Sequence, residues 1–348
     1  MPLPDLSTLA TPVGETWITF EFKTKENTAW ANSGHLIALH QEKLGGHSVL
    51  APHSGKGGKF IVTQSKGEIL VENKNTTVKF DKVLGNINTW RVGSKELIIP
   101  GTNSLTFWRP LTNTDTRKDS PYWYRFGLDK LRTSVRSVSV RSDDDHVVID
   151  SDLYIAPPIL GWAFTSKVTY EISDGRIKIA THVSPTTRTR GGIPSFIPRI
   201  GWEFAVPSSF AKSKWFGLGP GESYSDKIDG VQVGVFEEQT NKFDYPYDFP
   251  QETGNRSQTR QFWVGSESGG IFGSMRSKGK EHLFGFKTSN ASNLDGAKHP
   301  HEIVEGPLIL RIDYDQHGVG SAVCSTRVLP AYVLETKEFE FDIEFIAS

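Results

Sequence analysis

A single cysteine, Cys324, stands among the 348 residues, so no intrachain disulfide can staple the fold and a reducing, cytoplasmic setting is expected. Charge of either sign is not in excess: 39 Lys and Arg against 40 Asp and Glu leave a formal net charge of −1. That balance removes the electrostatic ground for nucleic acid or an anionic membrane surface as a partner. No run approaches the roughly 18 consecutive apolar residues of a membrane helix, and no window of about a dozen residues keeps a helical apolar period. The opening Met1-Pro2-Leu3-Pro4-Asp5 has neither a basic nor an apolar leader region. Internal repeats and low-complexity tracts are missing too. The sequons at Asn75, Asn255 and Asn290 bear only on a secreted protein, and we read them as chance.

What is present is turn formers and aromatics, with Gly 33, Pro 19, Phe 21, Trp 9 and Tyr 9. Period-two alternation runs from end to end. In Ile18-Thr19-Phe20-Glu21-Phe22-Lys23 the apolar residues share one face; Ile177, Ile179 and Val183 alternate with Arg176, Lys178 and His182; Phe339, Phe341, Ile343 and Phe345 alternate with Glu340, Asp342 and Glu344. Short strands also fit 59–64, 68–72, 77–80, 135–141, 146–150, 167–172 and 230–237, punctuated by turns such as Ser65-Lys66-Gly67 and Ser173-Asp174-Gly175. Each reads as a half-buried antiparallel strand, and the whole as an all-β chain. Gly and Ser break the pattern at His53-Ser54-Gly55-Lys56-Gly57-Gly58. This divides a segment 1–55, too short to fold alone, from a body at 57–348 on which it is expected to pack.

Four segments combine Trp, Arg, Gly-Pro-Gly and carboxylates in a specific order: Phe107-Trp108-Arg109-Pro110-Leu111-Thr112-Asn113-Thr114-Asp115, Pro198-Arg199-Ile200-Gly201, Trp215-Phe216-Gly217-Leu218-Gly219-Pro220-Gly221-Glu222-Ser223-Tyr224-Ser225-Asp226, and Pro250-Gln251-Glu252-Thr253-Gly254-Asn255-Arg256. Together they resemble the C-terminal region of family 2 β-galactosidases, whose last domain carries FWRAPTDND, PRIG, WFGRGPGExYxDR and PQExGNR in this order. Trp30-Ala31-Asn32-Ser33-Gly34-His35 resembles the end of the preceding immunoglobulin-like domain. The resemblance implies a large antiparallel β super-sandwich, galactose mutarotase-like, with a polar cleft, preceded by a short N-terminal β remnant of the immunoglobulin-like domain. It also implies that the acid/base and nucleophile glutamates of the whole enzyme lie on an upstream barrel, so that this chain by itself is not a glycosidase.

The chain departs from the family pattern at three places. An acid of the first motif has become Asn113; a Gly-Pro-Gly turn has become Ser325-Thr326-Arg327; GHEVAW has become Gly34-His35-Leu36-Ile37-Ala38-Leu39. By analogy the last two face the barrel or its substrate.

Glu222 follows a Gly-Pro-Gly turn, which allows positive φ, and reads either as a cleft acid or, with Asp226, as a carboxylate held by a turn or by Arg199. Glu252, Asn255 and Arg256 bring an acceptor, an amide and a fork-shaped donor together, a set suited to sugar hydroxyls or a carboxylate. Arg109, Arg199, Trp202, Tyr224 and Tyr247 complete the expected ligand-binding set, with stacking on Trp108 or an ion pair as the structural role for Arg109. His182 can act as acid/base if its face of the strand is the concave one. His299, His301 and His317 suggest a metal, but with no nearby cysteine and no carboxylate at ligand spacing, no metal site and no cofactor are expected.

Two functions follow. The first is a β-galactosidase-like module that binds a sugar or similar small molecule in its polar and aromatic cleft, or completes a barrel-bearing subunit. The second is a stand-alone enzyme that isomerises, epimerises or cyclises a small metabolite, with His182 and Glu222 or Glu252 as the acid/base pair and Arg199 or Arg256 stabilising negative charge.

Overall fold

The computed structural model describes residues 14–46, 58–143, 145–188, 190–321 and 328–348. Cys324, the altered turn at 325–327, the opening residues 1–5 and most of the break at 53–58 lie outside them. The chain divides into two compact units, Met1–Pro52 and His53–Ser348. In the first, strands Thr16–Lys23 and Leu36–Gly45 form an antiparallel hairpin. Phe22, Trp30 and Ile37 of this unit are 58%, 68% and 61% exposed.

In the second unit the period-two alternation becomes cross-strand rows. On strands Arg176–Thr187 and Phe339–Ala347, Val183 pairs with Phe339, Ile179 with Ile343 and Ile177 with Phe345, and all six are buried. Each such side chain contributes about 1.5–3 kcal/mol by leaving water. These two strands are the middle of a ten-stranded antiparallel sheet. Strands Gln232–Gln239 and Arg132–Ser142 form its two ends. A five-stranded sheet, ordered Arg256–Thr259, Phe284–Ala291, Glu305–Gln316, Arg199–Ala205 and Ser104–Thr106, carries its own apolar face. The two faces meet: Phe204 lies 5.0 Å from Phe345, ring to ring, Phe262 stacks on Phe286 at 4.6 Å, and Trp202 Nε1 donates to Thr181 Oγ1 across 3.1 Å. A second five-stranded sheet spans Ile61–Gln64 to Lys95–Ile98. The all-β reading therefore stands, as antiparallel sheets packed face to face.

Two six-residue helices, Asn113–Lys118 and Ser120–Arg125, interrupt it. They are too short to show a period in sequence. A capping box starts the first: Thr112 Oγ1 accepts from the Asp115 amide at 3.2 Å, and Asp115 Oδ2 accepts from the Thr112 amide at 2.8 Å.

Candidate functional site

Alternation on the five-stranded sheet sends Ile200, Trp202, Phe204, Phe286, Leu310 and Ile312 to the core, so Glu203, Lys287 and Arg311, and with them Asp313, must face the other way. Register sets Glu203 opposite Arg311 and Arg311 opposite Lys287. A solvated face is the ordinary outcome for such residues. Here loops cover it, and Lys287 and Asp313 are each 1% exposed. The charges therefore pair. Arg199 donates to Glu203 Oε1 at 3.2 Å and to Asp313 Oδ1; Arg311 Nε lies 2.9 Å from Glu203 Oε1; Gln316 Nε2 donates to Asp313 Oδ2 at 2.6 Å. Gly201 makes room for this acid, since a Cβ there would sit 2.3 Å from Asp313 Oδ1.

The motif loops lay their carboxylates onto this face. Glu252 Oε1 accepts from Tyr224 OH at 3.1 Å and from Lys287 Nζ at 3.3 Å. Burial pushes the Glu252 carboxyl up, but Lys287, Arg311 and Arg199 outweigh it and hold it below the ordinary carboxylate value. Glu222 Oε2 accepts from Thr253 Oγ1 at 2.9 Å and from the Gly254 amide at 2.8 Å, while its Oε1 takes Lys227 and Tyr247. Burial is again outweighed, here by those donors, and Glu222 is also held below its ordinary value. Gly254 has φ +81, and a Cβ would meet the Phe243 carbonyl at 2.6 Å, so only glycine aims its amide at Glu222. Asp226 is fixed by the amides of Val319, Gly320 and Ser321, each at 2.9 Å. The turn reading of Glu222 and Asp226 is the one observed, with Lys227 rather than Arg199 as the cation. The turn itself uses a cis Gly219–Pro220 bond, with neither Gly219 nor Gly221 at positive φ.

Asp313 behaves differently. Burial, with Glu252 and Glu203 nearby, outweighs Arg199 and Arg311 and raises its carboxyl to about 6. It lines a cavity of about 330 Å³ together with Tyr224, Asn255, Asp315, Gln316 and Tyr332. Asn255 is 2% exposed; its Nδ2 donates to the Ser223 carbonyl at 2.8 Å and to Ser257 Oγ at 3.1 Å. Its Oδ1, like Glu252 Oε2, is buried with no hydrogen-bond partner.

Other expected site residues are placed elsewhere. His182 pairs in register with Lys167 and Glu340 and sits on the exposed side of the ten-stranded sheet, because its neighbours Thr181 and Val183 face the core. Glu222 and Glu252 lie beyond the outer side of the other sheet, so the core separates them from His182 and no acid/base pair forms. Trp202, 1% exposed, is a core side chain rather than a stacking platform. Arg109 is fully buried against Asp115, at 3.0 and 3.1 Å, and the Gly318 carbonyl, at 3.2 Å. Arg256 lies over Trp215 and Phe243 at 5.2 and 4.7 Å and donates to the Gly254 carbonyl at 2.8 Å; it holds the loop together. Tyr247 is half-buried, donating to Glu222 and accepting from Lys227 at 3.0 Å.

The sequence reading passed over Glu203, Lys287, Arg311 and Asp313, which look like the wet side of amphipathic strands until register stacks them. It also passed over Asp295, which accepts from Trp108 Nε1 at 2.6 Å and from the Leu111 amide at 2.9 Å; burial raises its carboxyl. The metal reading needs correction as well. His317 is buried between Phe196 and Trp123, but His299 and His301 do have a carboxylate beside them, that of Glu302.

Among the described residues no helix is long and apolar enough to cross a membrane. Residues 72–345 match the β-galactosidase small-chain family and residues 1–45 match β-galactosidase domain 4. The chain is similar to the β-galactosidase of Kluyveromyces lactis, at 31% identity over 92% of this chain and 31% of that one. It is also similar to that of Lactobacillus delbrueckii subsp. bulgaricus, at 28% identity over 92% and 30%. It thus spans about a third of the length of these relatives. A galactose mutarotase-like protein from Clostridium acetobutylicum is similar in structure, with a TM-score of 0.48 at 8% identity over 84% of this chain and 99% of that one. With the small-chain match running through all four motifs, the chain belongs to the β-galactosidase small-chain family.

Proposed function

We propose that this chain is a β-galactosidase C-terminal module that binds a sugar in the cavity beside Asn255 and works with a barrel-bearing partner, which supplies the hydrolytic carboxylates. The observation that carries the reading is the cavity of about 330 Å³ itself, whose wall brings together the polar residues Tyr224, Asn255, Asp315 and Gln316. Such a wall offers the donors and acceptors that sugar hydroxyls pair with. The acids nearby support binding over hydrolysis. Retaining hydrolysis needs one carboxylate free to attack and another to hand over a proton, about 5 Å apart; Glu222 and Glu252 are both ionised and engaged by donors. Exposed Phe22, Trp30 and Ile37 in the first unit suit a surface that a partner covers. The setting proposed is cytoplasmic. Titration of galactose and lactose followed by calorimetry tests the reading: saturable binding, weakened at least about tenfold by Asn255→Ala, is expected, and no saturation with either sugar overturns it.

The second reading, an epimerase or isomerase, is favoured by one feature: Asp313, on the cavity wall, is a carboxyl that burial raises to about 6, toward the range useful for acid/base work. Polarimetry of galactose anomers tests it. Catalysed interconversion lost in Asp313→Asn supports the enzyme, and a rate equal to the buffer blank removes it.

A further inference from the structure

Outside the candidate site, the segment between strands Phe284–Ala291 and Glu305–Gln316 folds back on itself. The Ser292 amide donates to the Val304 carbonyl at 3.0 Å, Asn293 Nδ2 donates to the Glu302 carbonyl at 2.9 Å, and the Val304 amide donates to Asn293 Oδ1 at 2.8 Å. On this closed loop the rings of His299 and His301 stack at 5.4 Å and 15°. His299 Nδ1 lies 3.0 Å from Glu302 Oε1. One ligand atom from each of His299, His301 and Glu302 falls within 4.8 Å of the other two, and all three side chains are exposed.

We infer that His299, His301 and Glu302 form a surface site for a zinc-class divalent cation. Two imidazoles and one carboxylate are the donor set of borderline first-row ions and not of Mg²⁺ or Ca²⁺, which take oxygen. A tetrahedral site with ligand distances near 2.1 Å has an edge of roughly 3.4 Å, and the present spread of up to 4.8 Å has to close by that difference. Water fills the fourth position. Only one negative charge meets the ion, so the site is a weak one compared with a buried cage. Pro300 fixes φ between the two histidines, which limits what the loop must give up on closure. The same loop carries Asp295 to Trp108 and Leu111, so a bound ion braces the loop that holds these contacts.

The test is calorimetric titration of the untagged chain with Zn²⁺, beside Mg²⁺ as control, in a buffer that does not chelate. One equivalent of Zn²⁺ at micromolar affinity, at least about tenfold weaker in His301→Ala and in His299→Ala and unchanged in the distant His182→Ala, is expected, together with slower amide exchange over 293–304 when Zn²⁺ is present. The three exposed side chains make unfolding of the variants a small risk, and far-ultraviolet circular dichroism checks it. Zn²⁺ affinity equal in the parent and His301→Ala chains, or Mg²⁺ binding as tightly as Zn²⁺, overturns the assignment.

Discussion

Lys287 and Glu252 meet at 3.3 Å with side chains 1% and 2% exposed, and the same ammonium lies 3.2 Å from Asp244 Oδ1. One buried cation is thus shared between two acids, and Arg311 and Arg199 also act on Glu252. Removing it takes from Glu252 the cation in contact with it.

Lys287→Met is therefore expected to destabilise the chain by about 3–5 kcal/mol, the usual cost of leaving a buried ion without its partner. Denaturant unfolding measures it. The double variant Lys287→Met with Glu252→Gln is expected to recover part of the loss, because the stranded charge is gone. A loss below about 1 kcal/mol in the single variant would mean that the pair sits in a wetter place than its burial indicates.

The pH dependence of Asp313 has a definite sign. Its folded value of about 6 is above the ordinary 3.8, so between these values the folded chain holds a proton that the unfolded chain has released. Its stabilising contribution is full below about pH 4 and is lost as pH rises through about 6, roughly 3 kcal/mol in all. Glu203, Glu222, Asp226 and Glu252 are held low and act in the opposite sense: their contribution is present above their ordinary values and is lost as pH falls below them. Asp313→Asn cannot titrate, so its stability relative to the parent is expected to rise between pH 4.5 and 7.5. A difference that stays flat across that window would contradict the assignment.

His182 and Trp202 separate the surface from the core. His182→Ala is expected to change stability by no more than about 0.5 kcal/mol, as at an exposed position. Trp202→Ala is expected to cost about 3–5 kcal/mol through the cavity it leaves. Thermal unfolding followed by circular dichroism checks both, and a large loss in His182→Ala would place it in a network the structure does not contain.

How far the sequence could be read follows from which forces are local. The alternation of Phe339, Phe341, Ile343 and Phe345 needs only neighbouring residues, and the strand Phe339–Ala347 follows from it. The helix Asn113–Lys118 was hidden because six residues cannot show a period, although Thr112 and Asp115 already had capping-box spacing. Of the candidate site, the loop carboxylates Glu222 and Glu252 were legible through their motifs, with Tyr224 and Asn255 beside them. The charged row of Glu203, Arg311 and Lys287 was not, since it exists only through register between strands far apart in sequence. His182 looked eligible because alternation tells that two faces differ, and not which of them faces Glu222 and Glu252. Glu302 is adjacent to His301 in sequence, but only the turn at Pro300–Glu302 brings its carboxylate beside His299.

The most direct test of a binding module without hydrolytic chemistry of its own is turnover of a chromogenic β-galactoside by the purified 348-residue chain. The account predicts release no faster than the buffer blank, in the parent and in Glu222→Gln and Glu252→Gln alike. Steady turnover that disappears in either variant would contradict it, and would make those carboxylates catalytic.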